Sequence, residues 1–245
     1  MPYHLKPAAM ATTTRTSRPS APRKRVPQPR ADSEQTRERI LDSAEKLFAW
    51  HGFHGTSIRD IAADADYQFA LVGYHFGSKH DLMDKVLGRR SEVLNAERLA
   101  FLERARAHSK GSPIPVRTLV EGFVGAIMAR ASRNEPGWRN YTQLVGSAGG
   151  SPEWAELTER HFNAVAREYL SELQRSLPQV PSEVLHQAFF FAVGAMITAC
   201  ARPKRIETLS RGKFKSKDLL TMYGNLCTFL EGGFNAIAGQ RPNAD

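Results

Sequence analysis

Apolar residues recur at helical spacing along most of the chain, so the sequence reads as a series of helices. From Asp32 onward, Ile40, Leu41, Ala44, Leu47 and Phe48 fall on one face, with Asp32 and Gln35 placed as a capping box at the start and Gly52 as the stop. A second start follows at once. Thr56 and Ser57 offer hydroxyls, Asp60 stands three residues after Ser57, and Ile58, Ile61, Ala62 and Ala65 mark the inner face of a helix of about two turns. The break at 64–67 contains Asp66, one of the few non-glycine types that tolerate a left-handed backbone. A third short helix covers Gln68 to Phe76, and Ser78 caps a long fourth one carrying Leu82, Val86, Leu87, Val93 and Leu94.

Two short helices joined by a tight turn, preceded by a longer one, describe a three-helix helix-turn-helix unit. On its third helix Phe69, Val72 and Phe76 are spaced to face the interior, which leaves Ala70, Leu71, Gly73 and Tyr74 on the other side. Apolar and small side chains gain nothing in water. Against a DNA major groove they let the backbone come close and can pack on thymine methyl groups.

The stretch Arg37 to Met83, "RERILDSAEKLFAWHGFHGTSIRDIAADADYQFALVGYHFGSKHDLM", resembles the amino-terminal domain of TetR-family transcriptional regulators. Gly52, Phe53, Thr56, Ile58, Arg59, Asp60, Ile61, Ala62, Tyr74, His75, Phe76, Ser78, Lys79 and Leu82 carry the match. The run Y-H-F-G-S-K is similar to a branch whose members often sense fatty-acyl or other apolar metabolites. Departures lie at Asp66, where the family usually has glycine, at Tyr67, where it has an aliphatic residue, and at Gly73, where it often has a polar or aromatic one. The resemblance implies an all-α, cytoplasmic, homodimeric regulator without a cofactor, which binds a double-stranded DNA operator and is released by a small apolar effector. The residues it places on DNA are Thr56, Ser57, Arg59, Gln68, Ala70, Leu71, Gly73, Tyr74, His75 and Lys79. Arg59 is the candidate base reader, with a phosphate contact or a solvated arginine as the alternatives. Tyr74, His75 and Lys79, with the amides at the Ser78 end, are candidates for the phosphate backbone.

Beyond residue 94 the breakers "GSPIP", "NEPG", "GSAGGSP", "LPQVP" and the basic stretch 202–217 separate helices near 115–132, 138–146, 152–175, 182–201 and 217–238. The domains read as a disordered basic tail over 1–31, the helix-turn-helix domain over 32–94 and a larger helical domain over 95–240. In the larger domain Phe123, Ile127, Trp138, Tyr141, Leu144 and Phe162 are candidates for an apolar ligand cavity, with Arg130, Gln143 and His161 available to orient a polar head. The resemblance implies that the last two helices pair with their copies, and it places Phe189, Ala192, Met196, Met222, Leu226 and Leu230 at that interface. An intrachain core is the alternative reading of the same residues.

Charge sharpens this picture. The net charge is +9, and residues 1–31 hold seven Lys/Arg, six prolines and no acid, which suits either a polyanion partner or a solvated arm. The apolar run Ala188 to Ala201 is shorter than the ~20 residues that span a bilayer, so no membrane partner is expected. The two cysteines, Cys200 and Cys227, lie in apolar helical patterns and read as reduced core thiols. No H-E-x-x-H, G-x-S-x-G, Walker loop or C-x-x-C occurs, and His75 has no second ligand at helical spacing, so neither enzyme activity nor a metal site is expected. A helical module that sequesters an apolar metabolite without reading DNA is the competing function.

Overall fold

Two serine caps and one left-handed residue set the first half of the chain. In the computed structural model, which describes residues 29–132, 136–148, 152–201, 204–215 and 219–239, α1 runs Pro29–His51, α2 Ile58–Ala65, α3 Phe69–Phe76 and α4 Lys79–Ser109. The basic tail falls almost wholly outside the described residues. The capping role read for Asp32 is corrected: α1 already begins at Pro29, a residue whose fixed φ suits the first helical position.

Ser57 and Ser78 each close a reciprocal box with the aspartate three residues on. The Ser57 hydroxyl accepts from the Asp60 amide at 3.1 Å, and Asp60 accepts from the Ser57 amide at 2.8 Å. Between α2 and α3, Asp66 adopts φ 60 and ψ 45, and the Tyr67 and Asp66 amides donate to the carbonyls of Ala62 and Ala63. This is a Schellman closure, built on aspartate instead of glycine. Gly77, at φ 73, makes the turn from α3 into α4, where a side chain would be strained.

The second half continues with α5 (Val116–Ser132), α6 (Pro136–Ala148), a 3₁₀ turn at Pro152–Trp154, the short helix α7 (Ala155–Thr158), a π-helical turn (Glu159–Asn163), α8 (Ala164–Ser176), α9 (Ser182–Ala201), α10 (Arg205–Leu209) and α11 (Leu219–Ala238). The described residues contain no strand. The short α10 occupies part of the basic stretch read as a loop. Helix α4 runs unbroken across position 94, so one rigid rod belongs to both domains. Gly122 lets α5 press on α4 and α8, because a Cβ there would lie 2.9 Å from the Tyr169 hydroxyl and closer still to the Phe101 ring.

Helix α9 is 20 residues long and, by length and composition alone, apolar enough to cross a membrane, which corrects the shorter span read from the sequence. Its Leu185, Phe189, Ala192, Met196 and Cys200 are buried against the rest of the chain, as in a core helix of a helical bundle. Both cysteines are buried and unpaired with each other.

Ionic contacts lock α1 to α4, and α4 to the second half of the chain. Glu45 of α1 is buried and receives Arg90 in a fork, Nε at 2.5 Å and Nη2 at 3.0 Å, together with Arg89 at 3.1 Å. Burial pushes the Glu45 carboxyl up, against the pull of the two arginines. Arg89 also reaches Glu38 and Asp42. At the far side of α4, Asp84 accepts from His161 at 2.8 Å and from Arg160 at 3.0 Å. Burial acts to raise the Asp84 carboxyl, but the hydrogen bond and charge of His161, with Arg160, outweigh it and hold the group below its usual range.

Candidate nucleic-acid interface and interior cavity

The exposed face of α3 consists of Gln68, Phe69, Ala70, Gly73 and Tyr74, and Tyr74 is 83% exposed. Val72 and Phe76 are buried, whereas Phe69 is 55% exposed, which corrects its inward assignment. Phe69 is the first residue of the helix, and the adjoining core position is filled by the Tyr67 ring instead. Leu71 and His75 are half-buried, so they reach outward less than their spacing suggested. Apart from its chain neighbours and its own helix backbone, Gly73 has no protein atom within 4 Å of the place its Cβ would take. Nothing inside the chain therefore requires glycine at a position where it weakens the helix. Gly73→Ala is expected to raise stability by up to about 1 kcal/mol while weakening DNA binding, measurable as an increased melting temperature beside a reduced gel-shift affinity.

Arg59 of α2 is exposed, with no ion pair among the described residues, and its guanidinium lies 5.9 Å from the centroid of the Phe69 ring. It thus stands beside the exposed face of α3. Its guanidinium edge is open to a base.

Three residues assigned to DNA have other duties. Thr56 is 2% exposed, and its hydroxyl donates to the Gly52 carbonyl at 2.9 Å, with that of Leu47 at 3.2 Å, so it fixes the α1–α2 turn. The Ser57 hydroxyl is consumed in its cap, donating to Asp60 at 2.7 Å. Lys79 donates to the carbonyls of Phe53 at 3.0 Å and Thr56 at 2.9 Å, with its ammonium 4.2 Å from the centroid of the Phe53 ring. Its charge ties α4 to the turn before α2 and is only partly available to a phosphate. The start of α4 is also self-capped by the Asp81 carboxylate, held low by hydrogen bonds from Ser78, which opposes an anion there.

Helix α6 joins this unit to the larger domain. Trp50 donates its indole N–H to Asn140 at 3.2 Å, and the Arg139 guanidinium lies 5.8 Å from the Trp50 ring. Trp138 sits between the guanidinium groups of Arg90, at 5.0 Å, and Arg130, at 5.2 Å, while Arg130 pairs with Glu97. Trp154, from the 3₁₀ turn, stacks on His80 and meets Phe53 edge-on.

Between α4, α5, α6, α8 and α9 lies a cavity of about 620 Å³. Phe123, Ile127, Tyr141 and Phe162 line it as expected. Trp138 and Leu144 do not, because Trp138 is spent on the arginine sandwich and Leu144 is turned into the core. Arg130, Gln143 and His161 are also absent from the wall; Arg130 and His161 are held by Glu97 and Asp84. The polar groups that do reach it include Thr158, Asn163, Arg167, His186 and Thr198 and, as the buried cation, Arg98 of α4, which the sequence reading missed. Its signal was present: Arg98 continues the buried stripe Leu87, Leu94 and Leu102, a position where a cation is out of place.

The assigned interface residues Phe189, Ala192, Met196 and Leu230 are buried inside the chain, and Phe189 and Met196 line the cavity, so they are corrected to core. Met222 and Leu226 are half-buried and pack against that core. The apolar residues left outside on the same two helices are Phe190, Phe191 and Phe229, each about two-thirds or more exposed. On α11 the exposed set Asn225, Phe229, Gly232, Gly233 and Ala236 forms one continuous stripe.

Comparison with known proteins places these features. Residues 40–86 match the model of the bacterial regulatory proteins of the tetR family, and residues 121–233 match the tetracyclin repressor-like C-terminal domain. The chain is 32% identical over 185 residues to the HTH-type transcriptional repressor Rv3405c of Mycobacterium tuberculosis, a match covering 62% of this chain and 97% of that one. It is 42% identical over 52 residues to the HTH-type transcriptional regulator YttP of Bacillus subtilis, 21% of this chain and 25% of that one. Among solved structures, a TetR family transcription regulator from Shewanella sp. PV-4 superposes with TM-score 0.58 at 17% identity, covering 82% of this chain and 97% of the other. The hemolysin II transcriptional regulator HlyIIR superposes with TM-score 0.56 at 20% identity, covering 81% and 98%. The chain thus belongs to the TetR family of bacterial transcriptional regulators.

Proposed function

We propose that this DNA-binding transcriptional regulator is a homodimeric, cytoplasmic repressor that leaves its operator when a small, largely apolar molecule enters the cavity. The observation that carries the reading is the face of α3: Gln68, Ala70, Gly73 and Tyr74 project to solvent with Arg59 beside them, an apolar surface that serves no purpose inside the chain. Against a major groove the same surface is complementary to base edges and methyl groups. Two such helices in a dimer would meet successive turns of the duplex, about 34–36 Å apart. The exposed Phe190 and Phe191 of α9 and Phe229 of α11 support the pairing, since large apolar side chains left in solvent mark an interface.

Release has a route through two elements that touch both ends. Helix α6 contributes Tyr141 and Val145 to the cavity and Asn140 to the contact with α1; helix α4 contributes Leu87 and Leu94 to the cavity and Lys79 to the turn before α2. A ligand that displaces either one changes the angle at which α3 is held, and with it the spacing of the two reading heads. A gel-shift titration against the DNA upstream of the protein's own gene tests this. Saturable binding that resists random competitor DNA is expected, whereas a folded dimer that binds all DNA alike contradicts the proposal.

A further inference from the structure

We propose that the cavity takes an amphiphilic anion, an apolar body ending in a carboxylate, and that the carboxylate docks on Arg98. This rests on the cavity being the effector site proposed above and adds the charge of the occupant.

Arg98 is 3% exposed and lies on the cavity wall. No carboxylate among the described residues pairs with it, which sets it apart from the carboxylate-paired arginines of the same helix, such as Arg90 on Glu45 and Arg106 on Glu103, Glu168 and Glu172. Its Nε donates to the Phe123 carbonyl at 2.9 Å, its guanidinium sits 4.1 Å from the Phe123 ring centroid, and Nη2 meets only the Met196 sulfur at 3.7 Å. A thioether is a weak acceptor, so the outer edge of the guanidinium holds unfilled donor capacity. Desolvation pulls its pKa down to about 10, so the group is still a cation at neutral pH.

An isolated cation in an apolar interior is costly, and a protein retains one where a counter-charge arrives. Neither tyrosine hydroxyl nearby can provide it. That of Tyr169 donates to the Arg98 carbonyl at 2.9 Å, that of Tyr141 faces the Leu87 carbonyl at 3.4 Å, and burial pushes both pKa values up, that of Tyr169 to about 12. The remaining wall is mainly apolar, with Leu87, Leu94, Ile127, Phe162, Val193 and Ile197 matching hydrocarbon or aromatic surface, and its smaller polar share is Thr158, Asn163, Thr198 and His186, whose Nδ1 is held by the Ser182 carbonyl at 2.7 Å. One guanidinium fork at the floor of such a chamber matches one planar monoanion; a phosphate dianion would need further cations. The other arginine on the wall, Arg167, is exposed and held by Glu159 at 2.5 Å.

The test uses the full chain, free of DNA, and two matched sets of probes: decanoate against decan-1-ol, and naphthalene-1-acetate against 2-(1-naphthyl)ethanol, titrated by calorimetry. At least one acid is expected to bind about tenfold or more tightly than its alcohol, the effect of one charge-assisted hydrogen bond. Arg98→Met is expected to abolish that preference while raising the melting temperature of the empty protein, since it removes a buried unpaired charge; Arg98→Lys, which keeps the charge, should retain part of the preference. Equal binding of acids and alcohols, binding of neither acid, or an acid preference that survives in Arg98→Met overturns the proposal. A melting temperature that falls in Arg98→Met with the preference intact marks Arg98 as purely structural. If the alcohols bind as well as the acids and release DNA in a gel shift, the ligand-responsive function stands and only the anionic occupant is refuted.

Discussion

Truncating Glu45 to alanine is expected to lower the unfolding free energy by about 3–5 kcal/mol and the melting temperature by roughly 6–20 °C. The side chain is 1% exposed and receives three hydrogen bonds from two arginines of α4. Arg89 would keep Glu38 and Asp42, but Arg90 would be left under the Trp138 ring without a carboxylate. An orphaned, half-buried guanidinium is the main source of the loss. Because burial already raises the Glu45 carboxyl, the cluster as a whole is not a large net stabiliser, and its value lies in fixing how α1 meets α4. Replacing Glu45 and Arg90 together by leucine should therefore cost less than Glu45→Ala alone. Urea unfolding checks both statements: the midpoint should fall most in the single variant, with the slope unchanged. A loss below about 1 kcal/mol for Glu45→Ala, a typical surface value, would show that the cluster is solvated in practice.

Arg59→Ala is expected to relax preference at one base pair in each half-site, costing about 1–3 kcal/mol per site, roughly 5- to 150-fold. Two half-sites in a dimer double the free-energy loss. Arg59 stands beside the exposed face of α3 without an ion pair among the described residues, whereas Arg37, which also touches α3, is spent on the His75 carbonyl and the Phe76 ring. If it contacts a phosphate instead, the variant will bind every sequence more weakly by the same factor and lose about one unit of salt dependence. Lys79→Ala serves as the contrast. Its ammonium is bound to two turn carbonyls, so the variant should lose about 1–3 kcal/mol of stability with base preference intact.

The amino-terminal unit was legible because its devices are local. Ser57 with Asp60, the Ser78 cap and the left-handed Asp66 were each read from a few neighbouring residues, and the structure holds each, adding Asp81 as the reciprocal partner of Ser78. What spacing could not reveal is which polar groups the fold uses up. Thr56 and Lys79 look free in the sequence, yet their partners lie on α1 and in the turn after it. In the second domain the difficulty is different. Helix α9 is apolar on every side, so Phe189 and Phe190, neighbours in sequence, end one in the core and the other in solvent. Periodicity cannot choose between the faces of such a helix; only its packing against α6, α8 and α11 does. Arg98 is a mixed case: its place in the apolar stripe of α4 is legible, but its role comes from the walls that the other helices place around it.

The most direct test of the account is a selection of binding sites from random duplex DNA by the folded full chain, followed by its affinity for the selected site and for random DNA at one fixed salt concentration. A two-fold symmetric site bound at least about 10³-fold more tightly than random sequence is expected, with the ratio falling for Arg59→Ala. A ratio near one, for a dimer with an intact melting transition, would contradict it.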